Sequence, residues 1–157
     1  MRTRRNAWSE FLKRAGRGSS PPASLLCLDP GETTGWAIFR NGQLTGSGQF
    51  RVTNSLVFDK ILDRLEPTHL VVENYRIYPW KSKQHQWSDV PTLRYIGAIQ
   101  HAAALRGVPI HMQMAQLVKT FCTNTKLKSW GLYKEDKKHA NDAIRHGCYY
   151  LLFVKRK

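Results

Sequence analysis

Residues 24–28 form an apolar run that Asp29-Pro30-Gly31 closes, the pattern of a buried central strand stopped by a turn. Residues 36–40 and 43–52 flank Asn41-Gly42, the dipeptide favoured in tight hairpin turns, and predict an antiparallel pair. Phe58, Ile61, Leu62 and Leu65 recur at the spacing of one helix face, and Pro67 ends that helix. Leu70-Val71-Val72 is the apolar centre of a fourth strand over residues 69–73, followed by a polar and aromatic loop over residues 74–90. Pro91 opens a helix that carries Leu93, Ile96, Ile99 and Ala103 and closes at Gly107. Residues 108–112 predict a fifth strand, 115–121 a short helix and 126–138 a basic connector. A last helix over residues 139–153 turns Ile144, Cys148, Leu151 and Leu152 inward.

Antiparallel strands first and alternating strands and helices afterwards predict an α/β chain: a mixed five-stranded sheet with helices on both faces. Residues 1–22 stand apart as a basic N-terminal tail, ahead of one domain over residues 23–157. In that tail Arg2, Arg4, Arg5, Lys13, Arg14 and Arg17 face a single acid, Glu10, and Gly18-Ser19-Ser20-Pro21-Pro22 reads as a linker. Trp8, Phe11 and Leu12 have the spacing of a short amphipathic helix. The tail reads as an arm that grasps DNA, or as a frayed end.

Charge narrows the partner. The chain has 25 Lys and Arg against 11 Asp and Glu, a formal +14. Such an excess repels itself unless a polyanion neutralises it, and nucleic acid is the default polyanion. No apolar run reaches the roughly 20 residues that a membrane span requires. Cys27, Cys122 and Cys148 lie far apart beside apolar residues, without zinc-ligand spacing, and read as buried thiols of an intracellular, cytoplasmic protein.

Three acids carry the candidate chemistry. Asp29 caps the first strand, Glu73 the fourth, and Asp142 lies in the first turn of the last helix. Functional groups of α/β sheets gather at the carboxyl ends of the central strands. Hard divalent cations take oxygen ligands, and phosphodiester cleavage uses two of them to clamp the attacking and leaving oxygens. His139 precedes Asp142 by one helical turn, so both share a face, and His146 lies near the same stripe. Each acid alone has a plainer role: turn chemistry for Asp29, a solvated strand end for Glu73, the helix dipole for Asp142. Jointly, with the strand order and the charge, they point to a metal site.

The same residues carry a resemblance. Leu26-Cys27-Leu28-Asp29-Pro30-Gly31-Glu32-Thr33-Thr34-Gly35-Trp36-Ala37 resembles the first catalytic strand of RuvC-type Holliday junction resolvases. Val71-Val72-Glu73-Asn74 is similar to their second motif, Ile96-Gly97-Ala98 through Gly107-Val108-Pro109 to the following helix and strand, and Val118-Lys119 to a step near a DNA-backbone contact. His139-Ala140-Asn141-Asp142-Ala143 resembles their last motif, and the likeness covers residues 24–152. The resemblance implies an RNase H-like fold and a homodimer that nicks two opposed strands of a four-way junction. It also implies a site with Mg2+ or Mn2+, two ions, on Asp29, Glu73, Asp142 and His139. Many members carry an acid where His139 stands, and imidazole shifts the preference toward Mn2+. The first motif is shorter between Gly31 and Gly35, the loop after Glu73 longer and the basic tail extra, as in a divergent, phage-like member.

DNA contacts are expected from two stretches. In the long loop Arg76, Lys81, Lys83 and Arg94 interleave with Tyr75, Tyr78, Trp80 and Trp87, cations for phosphates and rings for unpaired bases at a branch point. The rings would equally serve to pin the loop to the body. Lys119, Lys126, Lys128, Lys134, Lys137 and Lys138 form a basic stripe toward the last helix, suited to backbone contact. The reading is a structure-specific endonuclease on branched DNA. Its rivals are a nuclease of RNA–DNA hybrids and a DNA-binding module without catalysis. The helix at residues 92–106, rich in alanine, is the candidate dimer surface.

Overall fold

The structure, a computed structural model, describes residues 5–16, 20–76 and 90–154. In chain order the elements are α1 (Arg5–Ala15), β1 (Ser24–Asp29), β2 (Thr33–Arg40), β3 (Gln43–Arg51), α2 (Leu56–Leu65) and β4 (His69–Asn74). There follow α3 (Pro91–Leu105), β5 (Ile110–Met114), α4 (Ala115–Phe121), α5 (Asn124–Ser129) and α6 (Lys138–Phe153). The strands make one five-stranded sheet in the order β3-β2-β1-β4-β5. β1, β2 and β3 pair antiparallel, whereas β4 pairs parallel with both β1 and β5.

Side chains alternate across a strand, and β1 is buried on both sides, so it serves two cores. Leu25 and Cys27 join Ala37, Phe39 and Val71 beneath Ala143, Ile144, Cys148, Leu151 and Leu152 of α6. Leu26 and Leu28 point the other way, with Ile38, Leu70 and Val72, against Phe58 and Leu62 of α2 and Ile96 and Ile99 of α3. The expected mixed sheet with helices on both faces is therefore present. Asn41 (φ 49°) and Gly42 (φ 80°) turn the hairpin through the left-handed region, as its dipeptide demands.

β2 begins at Thr33, three residues earlier than expected, and two further segments differ from the pattern-based reading. β5 begins two residues later than expected. Gly107 (φ 63°) leaves α3, the Val108 N–H is spent on Ala103 O, and Pro109 has no N–H to give a ladder. The segment at residues 126–138 is also more than a basic connector. Thr123 caps α5 by accepting the Lys126 N–H, and Leu127, Trp130 and Leu132 are buried in the α6-side core. Hydrophobic periodicity does not reveal this helix, because its six residues make fewer than two turns.

The helix signalled by Trp8, Phe11 and Leu12 forms, and its aromatic side lies on the body. Trp8 is 1% exposed, its Nε1–H donates to Gly42 O at 2.8 Å, and its ring centroid is 5.1 Å from that of Trp130. The three cysteines are buried and unpaired, and burial pushes all three thiols above their ordinary range, Cys122 to about 12. No described helix is long and apolar enough to cross a membrane.

Candidate metal centre

One transverse row of the sheet assembles the site. Gln49 pairs with Gly35, Gly35 with Asp29, and Glu73 with Gln113. Leu28 stands opposite Val72 in the parallel pair, so Asp29 and Glu73, the next residue of each strand, are neighbours. Alternation puts both on the side of Cys27 and Val71, which α6 covers. The row Gln49–Gly35–Asp29–Glu73–Gln113 thus runs across all the strands beneath one helix.

Two glycines let α6 descend onto that row. A Cβ on Gly35 would lie 1.8 Å from His139 O, and one on Gly147 would lie 2.2 Å from the Phe39 ring. Gln49 accepts the His139 N–H at 3.2 Å and so holds the start of the helix to β3. Asn141, buried, receives the Lys134 N–H at 2.9 Å and donates to Lys134 O at 2.7 Å, which fixes the entering chain. His139, Asp142 and His146 then recur on the helical stripe that faces the sheet.

The structure brings Asp29, His139 and Asp142 together. One ligand atom from each lies within 4.8 Å of the others, and His139 Nδ1 is 3.1 Å from Asp29 Oδ2. Glu73 stands beside this trio. Its carboxyl shares a hydrogen bond with that of Asp29 and places Oε2 2.9 Å from His146 Nε2. Asp142 is held from two sides, with Arg145 Nε 3.2 Å from Oδ1 and Lys119 Nζ 3.5 Å from Oδ2. Arg145 is anchored in turn by Cys122 O at 2.8 Å and by Asn124 Oδ1.

Burial first, then the negative charges of Glu73 and Asp142, push the Asp29 carboxyl up to about 8, against the pull of Lys119. Burial also works on Glu73, but the hydrogen bond from His146 and the charge of Lys119 win, and its carboxyl titrates below the ordinary range. One proton held between crowded carboxylates marks a place where a cation would relieve repulsion. Carboxylate oxygens with one imidazole suit hard to borderline divalent ions, so the residues present fit Mg2+ or Mn2+.

The expected DNA-contact residues are more dispersed. Lys119, with 47% of its side chain exposed, reaches into the centre itself. Lys126 lies over the Phe121 ring and Lys128 over Tyr133, at 3.6 and 4.7 Å from the centroids. Lys137 and Lys138 are exposed at the start of α6. Lys134 and Lys137 line a groove of about 840 Å³ with Trp8, Trp130 and residues 43–48 of β3. Tyr75 is half-buried against the α2–α3 core, whereas Arg76 and Arg94 are exposed. Tyr78, Trp80, Lys81, Lys83 and Trp87 lie outside the described residues.

Sequence reasoning did not identify the supporting residues Gly35, Gln49, Gln113 and Arg145, and it placed His146 only near the stripe. Gln113 was hidden by the strand boundary set two residues early. Arg145 had a signal, one helical turn after Asp142.

No protein-family model matches the chain, and no curated protein sequence does. Solved structures match in shape. Thermus thermophilus RuvC in complex with a Holliday junction substrate superposes with a TM-score of 0.64 at 16% identity, covering 83% of this chain and 94% of that one. A second Thermus thermophilus RuvC structure gives 0.60 at 16% identity, over 83% and 95% of the two chains. The yeast mitochondrial Holliday junction resolvase gives 0.59 at 13% identity, over 91% and 84%. The fold is therefore the RNase H-like fold of RuvC-type resolvases, as the motifs had implied.

Proposed function

We propose that this chain is a divergent RuvC-type resolvase, a metal-dependent, structure-specific endodeoxyribonuclease that nicks four-way junctions and other branched DNA. The observation that carries the reading is the convergence of Asp29, His139 and Asp142 within 4.8 Å, with Glu73 hydrogen-bonded beside them. These residues come from two parallel strands and the last helix.

Asp29, Glu73, Asp142 and His139 would hold Mg2+ or Mn2+, as a pair of ions. Bound there, divalent ions supply charge to the scissile phosphate and lower the pKa of an attacking water. The chain's own part is positional. The β1–β4 pairing fixes two carboxylates side by side, and α6 brings the other two ligands down onto them. Lys119 stands where it can leave Asp142 for a phosphate oxygen, while Lys126, Lys128, Lys134, Lys137 and Lys138 bind the DNA backbone without reading sequence. A formal +14 supplies the long-range attraction.

Two symmetric cuts call for a two-fold enzyme, and α3 offers a surface for the homodimer: Leu93 and Leu105 are 41% and 69% exposed, with open space over Gly97. The cytoplasm of a bacterial or phage-infected cell is the compartment we assign.

One observation favours the non-catalytic alternative: cations occupy both oxygens of Asp142. Arg145 is tethered, but Lys119 is half exposed and 3.5 Å from Oδ2, a contact that a divalent cation would displace. The test is a panel of labelled junctions, flaps, duplexes and RNA–DNA hybrids, with Mg2+ or Mn2+ supplied separately. Paired nicks in four-way junctions are expected. Cutting of hybrids alone, or binding of junctions with no cutting in either metal, would overturn the reading.

A further inference from the structure

Gln113 and His146 are buried polar residues at 5% and 0% exposure, and the chemistry proposed above uses neither. One amide atom of Gln113 lies 3.0 Å from His146 Nδ1 and 3.1 Å from the main-chain oxygen of His146. A carbonyl oxygen only accepts, so that amide atom is the NH2 group. Its two hydrogens serve the carbonyl and Nδ1. The ring proton then sits on Nε2, 2.9 Å from Glu73 Oε2.

This assignment decides what His146 does. A ring nitrogen that carries hydrogen has no lone pair for a cation, and the other nitrogen is already taken. His146 is a donor to Glu73 and not a further ligand. The geometry comes at a cost, because Gln113 Oε1 is buried with no hydrogen-bond partner among the described residues. An apolar residue in β5 would avoid that orphaned oxygen. The polar pair is therefore explained better by the carboxylate it orients than by packing.

We propose that Gln113 and His146 form a positioning device for Glu73. They hold its carboxylate beside Asp29 through Oε2, where a cation would replace the proton that the two carboxyls share. The proposal rests on the metal-nuclease reading. Partners behind a ligand set its direction and basicity, and losing one typically weakens metal binding by about 10- to 100-fold.

The experiment is calorimetric titration of Mn2+ into the full chain, with junction affinity measured in EDTA as a control. His146→Leu is expected to weaken Mn2+ binding at least about tenfold. His146→Gln, which keeps an N–H donor, should restore most of that loss, and junction affinity should be equal in all. Unchanged Mn2+ affinity in His146→Leu would overturn the proposal. Asp29→Asn separates the two levels: if it too binds Mn2+ normally, the metal reading itself has failed, whereas loss there alone sinks only the positioning role. Should His146→Leu not fold, nitrogen chemical shifts of the wild-type imidazole give a second answer. A proton on Nε2 with Nδ1 bare supports the device, and a proton on Nδ1 overturns it.

Discussion

Gly35 and His139 are in contact, main chain against main chain: a methyl group on Gly35 would fall 1.8 Å from the His139 carbonyl oxygen. Gly35 is also the pairing partner of Asp29, so one close approach sets the distance between the sheet's carboxylate and the helix's ligands. Backbone cannot yield as a flexible side chain would, so Gly35→Ala must lift the first turn of α6. Overpacking of this kind costs about 1–3 kcal/mol. We expect a lower Tm and, more tellingly, a smaller Mn2+-induced rise in Tm than the wild type is expected to show. A variant that is destabilised yet keeps its full metal-induced shift would show that the contact serves packing alone.

Asp29 makes stability depend on pH in an unusual direction. Its carboxyl titrates at about 8 in the folded chain against an ordinary 3.8, so between those values the folded state holds a proton that the unfolded state has lost. Unfolding stability therefore falls as pH rises from about 4 to about 8. In EDTA, Tm should drop across that window, and Asp29→Asn should flatten the profile and exceed the wild type at pH 8. Cleavage by the same variant should fall roughly a thousandfold, since several kcal/mol of charge stabilisation go with the ligand. Metal binding near neutral pH should release a proton, seen as a buffer-dependent enthalpy. A flat wild-type Tm profile would contradict the shifted carboxyl.

Lys119 and Arg145 grip opposite oxygens of Asp142, yet they should behave differently on removal. Lys119 is half exposed at 3.5 Å and competes with any cation for Oδ2. Lys119→Ala should strengthen Mn2+ binding by a few-fold while cutting the cleavage rate by about tenfold, the size of one lost charge contact to phosphate. Arg145 is half-buried and tied to the α4–α5 turn through Cys122 O. Arg145→Ala should weaken both metal binding and cleavage, because Asp142 loses its orientation. Titration and single-turnover rates on the pair distinguish competitor from support. The same sign for both variants in metal affinity would refute the distinction.

Much of this architecture is legible in the sequence. The Asn41-Gly42 turn, the apolar run into Asp29 and the apolar run Leu70-Val71-Val72 each mark an element by residue pattern or by turn chemistry. Asp29, Glu73 and Asp142 stand out in the sequence because each lies at an element end, where the apolar pattern breaks. What remained hidden depends on how elements pack. Gly35 looks like any strand glycine until α6 rests on it, and Gln113 is a polar residue in a strand whose start was obscured by Val108 and Pro109. The burial of Leu127 and Trp130 between lysines was hidden for the same reason: charge dominates the segment, while the core takes only its alternate positions.

The N-terminal helix offers a separation of packing from charge. Trp8 is buried against Trp130 and bonded to Gly42 O, whereas Lys13 and Arg14 of the same helix are exposed. Trp8→Ala removes a large buried aromatic, a change that costs about 3–5 kcal/mol. At roughly 2–4 °C per kcal/mol for a chain of this size, Tm should fall by about 10 °C. Trp8→Phe keeps ring contact and loses only the hydrogen bond, about 1 kcal/mol. Replacing Lys13 and Arg14 with Gln should leave Tm nearly unchanged but weaken junction binding and shallow its salt dependence, since each neutralised phosphate contributes to that slope. If Trp8→Ala melts with the wild type while the charge variants lose binding, α1 acts only as a DNA arm. If the charge variants bind normally and Trp8→Ala is unstable, α1 is a structural strap that closes the hairpin side of the sheet.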